Sequence, residues 1–302
     1  MYKIAFMLKT YDKDYPYAER LLKSFNKYNA DHIPCFVVAS KNSMEQLDRT
    51  LTDSIKQDVF FVSEEDFSKH LVNEAVCGIA PGYINQEIIK LAFWEKGLCE
   101  NYVCLDSDAI FIRHFHTSDF MYDDNTPYTV LFEDKWLKTD PDYYKNFWID
   151  REKSLTKILT AIDYAPKIVK TCHGFQIFSK KVIENMKKEY MDKHGYDYVD
   201  LIEISPYEFS WYNFWLQKTR VVEIHEIDQL FVYLHTKKQL LISWLSERSI
   251  EDLARGYVGV VINSNFLSGK MIDFDGKQDR NKGYIEIAWW TVKAIIYNIV
   301  RK

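Results

Sequence analysis

Within YVCLDSDAIFI, Tyr102 to Ile112, Asp106 and Asp108 flank Ser107 in an otherwise apolar run. Two carboxylates so close together repel each other unless a cation lies between them. Hard divalent ions such as Mg²⁺ and Mn²⁺ take carboxylate oxygens and keep positions open for water and phosphate. One or two protein carboxylates therefore suffice when a diphosphate supplies the rest. The chemistry implied is a cation clamp on a phosphorylated ligand, and a solvated surface turn is the plainer alternative.

Two further stretches carry groups suited to binding. KTCHGFQIFSKK sets His173 and Gly174 before a short apolar run, and glycine lets a ligand approach the backbone closely. SPYEFSWYNFWLQK surrounds Glu208 with Tyr207, Trp211, Tyr212 and Trp215. Aromatic faces beside a carboxylate suit a sugar, whose C–H faces stack on rings while its hydroxyls seek acceptors. Aromatic residues at helical spacing also suit a core.

The elements that must position these groups alternate. Lys3 to Leu8 reads as a strand, and Pro16 then opens a helix with Ala18, Leu21, Leu22, Phe25 and Tyr28 on one face. PCFVVAS from Pro34 and DVFFVS from Asp58 are further strands, and the polar segment from Lys41 to Lys56 suits a helix between them. Asn85 can cap a helix running to about Glu95, with Gly97 just beyond its end. Such alternation predicts an α/β fold with a mainly parallel sheet, whose ligands bind at the carboxyl edge of the strands. The aspartates sit at the end of one such strand. After Arg113 the pattern fades, leaving TVLFED and GFQIFS as strand candidates, and no repeat or linker divides the chain.

Composition narrows the function classes. The chain has 302 residues, 47% hydrophobic and 16% aromatic, with a formal charge of -5. That charge gives no general attraction to nucleic acid. Five widely spaced cysteines without a Cys-x-x-Cys pair indicate neither a disulfide framework nor a zinc knuckle, and fit a reducing cytoplasm. The N-terminal MYKIAFMLKTYDKD lacks the features of a signal peptide, and no apolar run reaches the roughly 18–20 residues of a membrane span. Tyr284 to Lys302 forms an amphipathic helix with Trp289 and Trp290 adjacent and Arg301 and Lys302 at its end. It either docks on the core or lies at a membrane surface.

GYINQEIIKLAFWEKGLCENYVCLDSDAIFI resembles the helix–strand–turn unit of the metal-dependent glycosyltransferases of GT-A fold, in particular bacterial enzymes that build capsule or lipopolysaccharide. The resemblance implies a single Rossmann-like domain over residues 1–302. Its nucleotide-sugar-binding half would be 1–115, its acceptor-binding half 116–283, and its C-terminal helix 284–302. It implies Mn²⁺ or Mg²⁺ as cofactor, a nucleoside-diphosphate sugar as donor and a glycan or lipid-linked acceptor on the cytoplasmic side of a membrane. By position Asp108 would bind the metal directly, and Asp106 would contact the ribose or the metal through water, with Ser107 beside the donor. Thr10, Tyr11 and Asp12 would hold the nucleotide, and Lys90 would reach the donor unless it is simply a solvated lysine. His173 and Gly174 would line the sugar, and Tyr207 and Trp211 the acceptor. Glu208 would be the catalytic base of an inverting enzyme, with Asp228 and Glu133 as competitors, although the adjacent Glu-Asp pair usual in the family is absent. His235 would complete the metal shell, with His225 as its rival. The alternatives are a phosphatase of haloacid-dehalogenase type with Asp106 as nucleophile, whose motif normally opens its chain, and a carbohydrate-binding protein without turnover.

Overall fold

The structure, a computed structural model, describes residues 1–300 except 52, 173, 268 and 269. Four strands, β1 (Tyr2–Lys9), β2 (Cys35–Ala39), β3 (Val59–Ser63) and β4 (Cys99–Leu105), run parallel. The strand β5 (Ala109–Phe111) follows at once, and β6 (Thr129–Val130) is a short later element. Antiparallel β7 (Gln176–Ser179) completes the main sheet in the order β3-β2-β1-β4-β7. All five residues of β2 are buried, as expected of a parallel strand covered on both faces. The mainly parallel α/β sheet expected from the alternation is therefore present.

Helix α1 (Tyr15–Tyr28) begins with Pro16 in its first turn and buries Tyr15, Ala18, Leu21, Leu22 and Phe25. Helix α2 (Lys41–Thr50) is capped by Ser40. Phe6 on β1 meets Phe25, Phe111, Phe115 and Phe120 with ring centroids 5.2–5.6 Å apart, so one ring knits sheet, helix and the segment after the aspartates together. Truncating such a ring to alanine costs about 3–5 kcal/mol.

Helix α3 (Pro81–Ala92) starts earlier than Asn85 predicts. Pro81 occupies the first turn, and the Asn85 amide instead bonds both backbone groups of Val72 at 2.9 Å, tying down the preceding loop. Gly97 ends the following 3₁₀ turn at φ 65°. The Tyr102 hydroxyl donates to the Lys90 carbonyl at 2.8 Å, which fixes the end of α3 against β4 and thus aims Lys90.

After the aspartate turn the chain enters a second sheet. β5 pairs antiparallel with β10 (Gly259–Ile262), which pairs parallel with β9 (Phe231–Leu234), while β6 pairs with β8 (Glu226–Ile227). Asp106 to Asp108 thus occupies the junction between two sheets. Helix α4 (Ile149–Ala161) and helix α5 (Glu208–Thr219) bring Arg151 and Glu208 to the same cavity as the aspartates. Ser205 ends the helix before α5, and its carbonyl accepts from the Trp211 indole at 3.0 Å.

A smaller apolar cluster gathers Leu240, Leu241, Trp244, Val260, Ile262 and Phe274 around α6 (Lys237–Leu245). The C-terminal helix α7 (Lys277–Val300) docks there only by its first turns. A side chain at Gly283 would lie 2.5 Å from the Trp244 ring, so glycine permits the close crossing. Tyr284 donates to the Trp244 carbonyl at 3.1 Å, and Lys237 pairs with Glu286 at 2.6 Å. Beyond that contact Trp289, Trp290, Val292, Ile295, Ile296 and Ile299 are exposed. Docking on the core therefore accounts for the helix's beginning and not for its apolar face.

Candidate functional site

β4 ends at Leu105, and a turn closed by the Ala109 amide on the Asp106 carbonyl, at 3.1 Å, reverses into β5. That turn borders a cavity of about 300 Å³ whose lining includes Tyr11, Asp14, Gln86, Lys90, Asp106, Ser107, Asp108 and Glu208. Arg151, Gly174, Tyr207, Tyr233, His235 and Ser264 also line it.

Asp108 is 9% exposed. Its Oδ2 accepts from the Ser264 amide at 2.8 Å, while the buried Oδ1 has no hydrogen-bond partner. Burial, and next the negative charge of Asp106, pushes its carboxyl up to about 7. Burial likewise raises Asp14, whose Oδ2 accepts from the Ser107 hydroxyl at 3.2 Å. Arg20 contributes positive charge to Asp108 only beyond ion-pair distance. The aspartate end is therefore negative and incompletely satisfied.

Lys90 lies a few ångströms away in a different balance. Its Nζ is 2.8 Å from Glu208, 3.2 Å from Asp106 and 3.9 Å from Glu87. Burial alone would lower the lysine; Asp106, Glu208 and Glu87 outweigh it and hold the ammonium well above its ordinary range. Burial, and then the charge of Glu208, raises Glu87 well above the usual carboxylate range; its buried Oε2 accepts from no donor, so a proton held on Glu87 would donate to Glu208. Burial would also raise Glu208, but Lys90 and the Glu87 hydrogen bond prevail and lower it.

Asp106 accepts from Gln86 at 3.3 Å and from the Tyr233 hydroxyl at 3.3 Å. Tyr233 also reaches the Gly174 carbonyl at 2.8 Å. Gly174 has φ 54°, and a side chain there would collide with the Tyr233 hydroxyl at 1.7 Å, so only glycine fits.

The structure brings together Asp106, Ser107, Asp108, Lys90, Tyr11, Gly174, Tyr207, Glu208 and His235 around this cavity. It does not bring Thr10 or Asp12 to its wall: Thr10 is fully buried, and Asp12 accepts from the hydroxyls of Tyr15 and Ser43. Lys90 is buried rather than solvated. Trp211 is wholly buried and bonded to backbone carbonyls, so it belongs to the core and offers no face to a sugar. Tyr212 and Trp215 are buried as well. Glu208 lines the cavity but is ion-paired to Lys90 at 2.8 Å, which lowers its carboxyl and makes it a weaker base. Asp228 and Glu133 line a neighbouring cavity of about 1140 Å³ instead. His225 stacks on Tyr122 at 3.5 Å, and His173 lies outside the described residues.

Carboxylate oxygens, one of them buried and unpartnered, are the hard donors that Mg²⁺ or Mn²⁺ takes, so Asp106 and Asp108 fit such an ion. Among the described residues no three His, Cys, Asp or Glu side chains form a coordinating group, and His235 borders the cavity without joining the aspartates in one. Sequence reasoning missed Asp14, Gln86, Arg151, Tyr233 and Ser264. Asp14 alone carried a signal, as a carboxylate just past the end of β1.

Comparison with solved structures identifies the architecture. The chain is similar to mouse xyloside xylosyltransferase 1 in its apo form, with TM-score 0.51 and 14% identity over 87% of this chain and 98% of that one. An active-site mutant of LgtC gives 0.49 at 16% identity, covering 86% and 84% of the two chains. The galactosyltransferase LgtC with donor and acceptor sugar analogues gives 0.44 at 14% identity, again covering 86% and 84%. The fold is that of GT-A glycosyltransferases. No curated protein sequence matches the chain. A family profile matches residues 4–251, and the chain belongs to that family, described as "Family of unknown function (DUF6492)".

Proposed function

We propose that this chain is a glycosyltransferase that moves a sugar from a nucleoside-diphosphate donor to a glycan or lipid-linked acceptor, as in capsule or lipopolysaccharide assembly. The observation that carries this reading is the unpartnered, buried Oδ1 of Asp108 beside Asp106, at the carboxyl edge of a parallel sheet. Asp106 and Asp108 would hold Mn²⁺ or Mg²⁺, which when bound supplies positive charge against the departing diphosphate. Tyr11 and Ser107, which line the same cavity, would contact the nucleotide, and Lys90 adds a fixed cation beside Asp106. Glu208 serves to hold Lys90 rather than to abstract a proton, consistent with its lowered pKa.

A panel of nucleotide sugars with Mn²⁺, read by release of nucleoside diphosphate, tests the reading. Asp108→Ala is expected to lower turnover by roughly 10²–10³-fold, the usual loss when one group stabilising transition-state charge is removed. Unchanged, cation-dependent turnover in that variant would refute the assignment. Hydrolysis of simple phosphoesters would favour the phosphatase, and nucleotide binding without turnover a carbohydrate-binding protein.

We also propose that the protein works on the cytoplasmic face of a membrane, with α7 lying in the lipid interface. No helix among the described residues is long and apolar enough to cross a membrane. The exposed face of α7 carries the aromatic pair Trp289 and Trp290, and the cation Lys293 lies over Trp289 at 5.1 Å. The only acid from Tyr284 onward, Glu286, is neutralised by Lys237. Apolar surface with unbalanced positive charge suits anionic lipid. Sedimentation with anionic vesicles should retain the protein, and replacing both tryptophans by serine should release it; equal sedimentation of the two proteins would defeat the proposal.

A further inference from the structure

A second cation in the cavity wall has no role in the chemistry above. Arg151, on α4, is 6% exposed. Its Nη2 donates to the Cys172 carbonyl at 2.9 Å, its guanidinium lies 4.9 Å from the Tyr207 ring centroid, and its buried Nε has no hydrogen-bond partner. No carboxylate of a described residue lies within ion-pair distance of it, whereas Lys90 meets three.

A guanidinium stays charged at every accessible pH, so burying one without a counter-ion is costly unless an anion arrives. Asp134 feels Arg151 only at longer range, and burial dominates to leave that carboxyl at about 6. Arg151 is also separate from the aspartate end. Its charge acts on Asp134, Tyr143, Tyr207 and Cys172, while Asp108 responds to Asp106 and Asp14. The stacking ring and the Cys172 carbonyl hold the planar fork in one orientation, and such a fork matches a carboxylate or phosphate.

We propose that Arg151 is the binding site for an anionic group, a carboxylate or a phosphate, carried by the transferred sugar or by the acceptor. This rests on the transferase reading and adds a substrate class to it. Neutral hexoses bound in the same cavity would leave the guanidinium unmatched.

Calorimetry on the full chain with Mn²⁺ tests it. Nucleoside diphosphates of each base first identify the one that binds. Two matched pairs follow: the corresponding nucleoside-diphosphate hexose against its uronate, and glucose against glucose 6-phosphate in the presence of that nucleoside diphosphate. The anionic member of one pair is expected to bind at least about tenfold more tightly. A preference in the first pair assigns the charge to the donor sugar, and in the second to the acceptor. Arg151→Gln should erase the preference without changing nucleoside-diphosphate affinity, and Arg151→Lys should keep part of it, with far-UV circular dichroism confirming both folds. Equal affinity within both pairs in the unaltered protein, a measurement that needs no variant, overturns the inference, as does a preference that survives Arg151→Gln. Absence of any nucleoside-diphosphate binding overturns the transferase reading and this inference with it; binding without preference overturns this inference alone.

Discussion

Around Lys90 an ammonium meets Glu208, Asp106 and Glu87 within 3.9 Å, and burial and Glu208 raise Glu87 well above the usual carboxylate range. Around Asp108 the carboxylates of Asp14 and Asp106 add like charge, and one buried oxygen finds no donor. The two clusters share a wall of the same cavity and have opposite economies. The first can be completed within the chain, by the Lys90 ammonium and a proton on Glu87, so its members hold one another in position. The second becomes complete only with a cation, so it is stabilised by its ligand.

Breaking the complete cluster should produce the largest effect. Lys90→Met keeps most of the side-chain volume but leaves Glu208 buried and unpaired, and removing one partner of a buried ion pair costs about 3–5 kcal/mol. Chemical denaturation of the metal-free protein measures it. A loss below about 1 kcal/mol would mean that Lys90 behaves as an exposed surface cation, and the contrast between the clusters would fail.

The sequence made one side of each cluster readable and hid the other. Asp106 and Asp108 stand out because they interrupt an apolar run, and the alternation of strands and helices identifies the edge they occupy. Their partners come from far along the chain: Tyr233 and Ser264 are 127 and 156 residues from the aspartates they touch. Such contacts arise where β9 and β10 join β5, in the half whose periodicity fades. Helical aromatic spacing at Trp211 is the same for a core and a sugar platform; its full burial against the Leu201 and Ser205 carbonyls decides for the core. Asn85 shows a local version of the problem, since an amide that can cap a helix can equally bond a passing loop, and Pro81 had already taken the first turn. For α7 the pattern predicts a helix correctly but cannot say how much of it the core covers.

Outside the cavity, His70 supplies a second complete cluster against which the first can be calibrated. Its Nδ1 is 2.9 Å from Asp197 and its Nε2 3.1 Å from Glu95. Burial would lower the imidazole, but the two carboxylates prevail and raise it. Glu95 is pulled down to about 2: burial opposes the shift, and hydrogen bonds from His70, Lys69 and Tyr198 outweigh it. A raised histidine contributes stability that is full below about pH 6.5 and is lost as pH rises through its folded value. A lowered glutamate contributes above its unfolded value and loses that contribution as pH falls towards 2. His70→Gln should therefore cost roughly 2 kcal/mol at pH 6 and flatten the alkaline side of the stability profile. An unchanged slope above neutrality would show that the imidazole is uncharged in the folded protein, and complete clusters would lose their common principle.

The smallest change goes to the incomplete cluster and has the opposite sign. Asp108→Asn keeps an oxygen to accept from the Ser264 amide but removes a charge that burial and Asp106 both oppose. Without metal the variant should be more stable than the native chain by about 1 kcal/mol, because less like charge is confined beside Asp106 and Asp14. The native chain should gain stability on adding Mn²⁺ in proportion to the logarithm of its occupancy, whereas the asparagine variant should not respond. Thermal melts with and without the ion give both quantities in one experiment. A variant less stable than the native chain in chelator would mean that the carboxylate is satisfied without any ion, and the distinction between the two ends of the cavity would disappear.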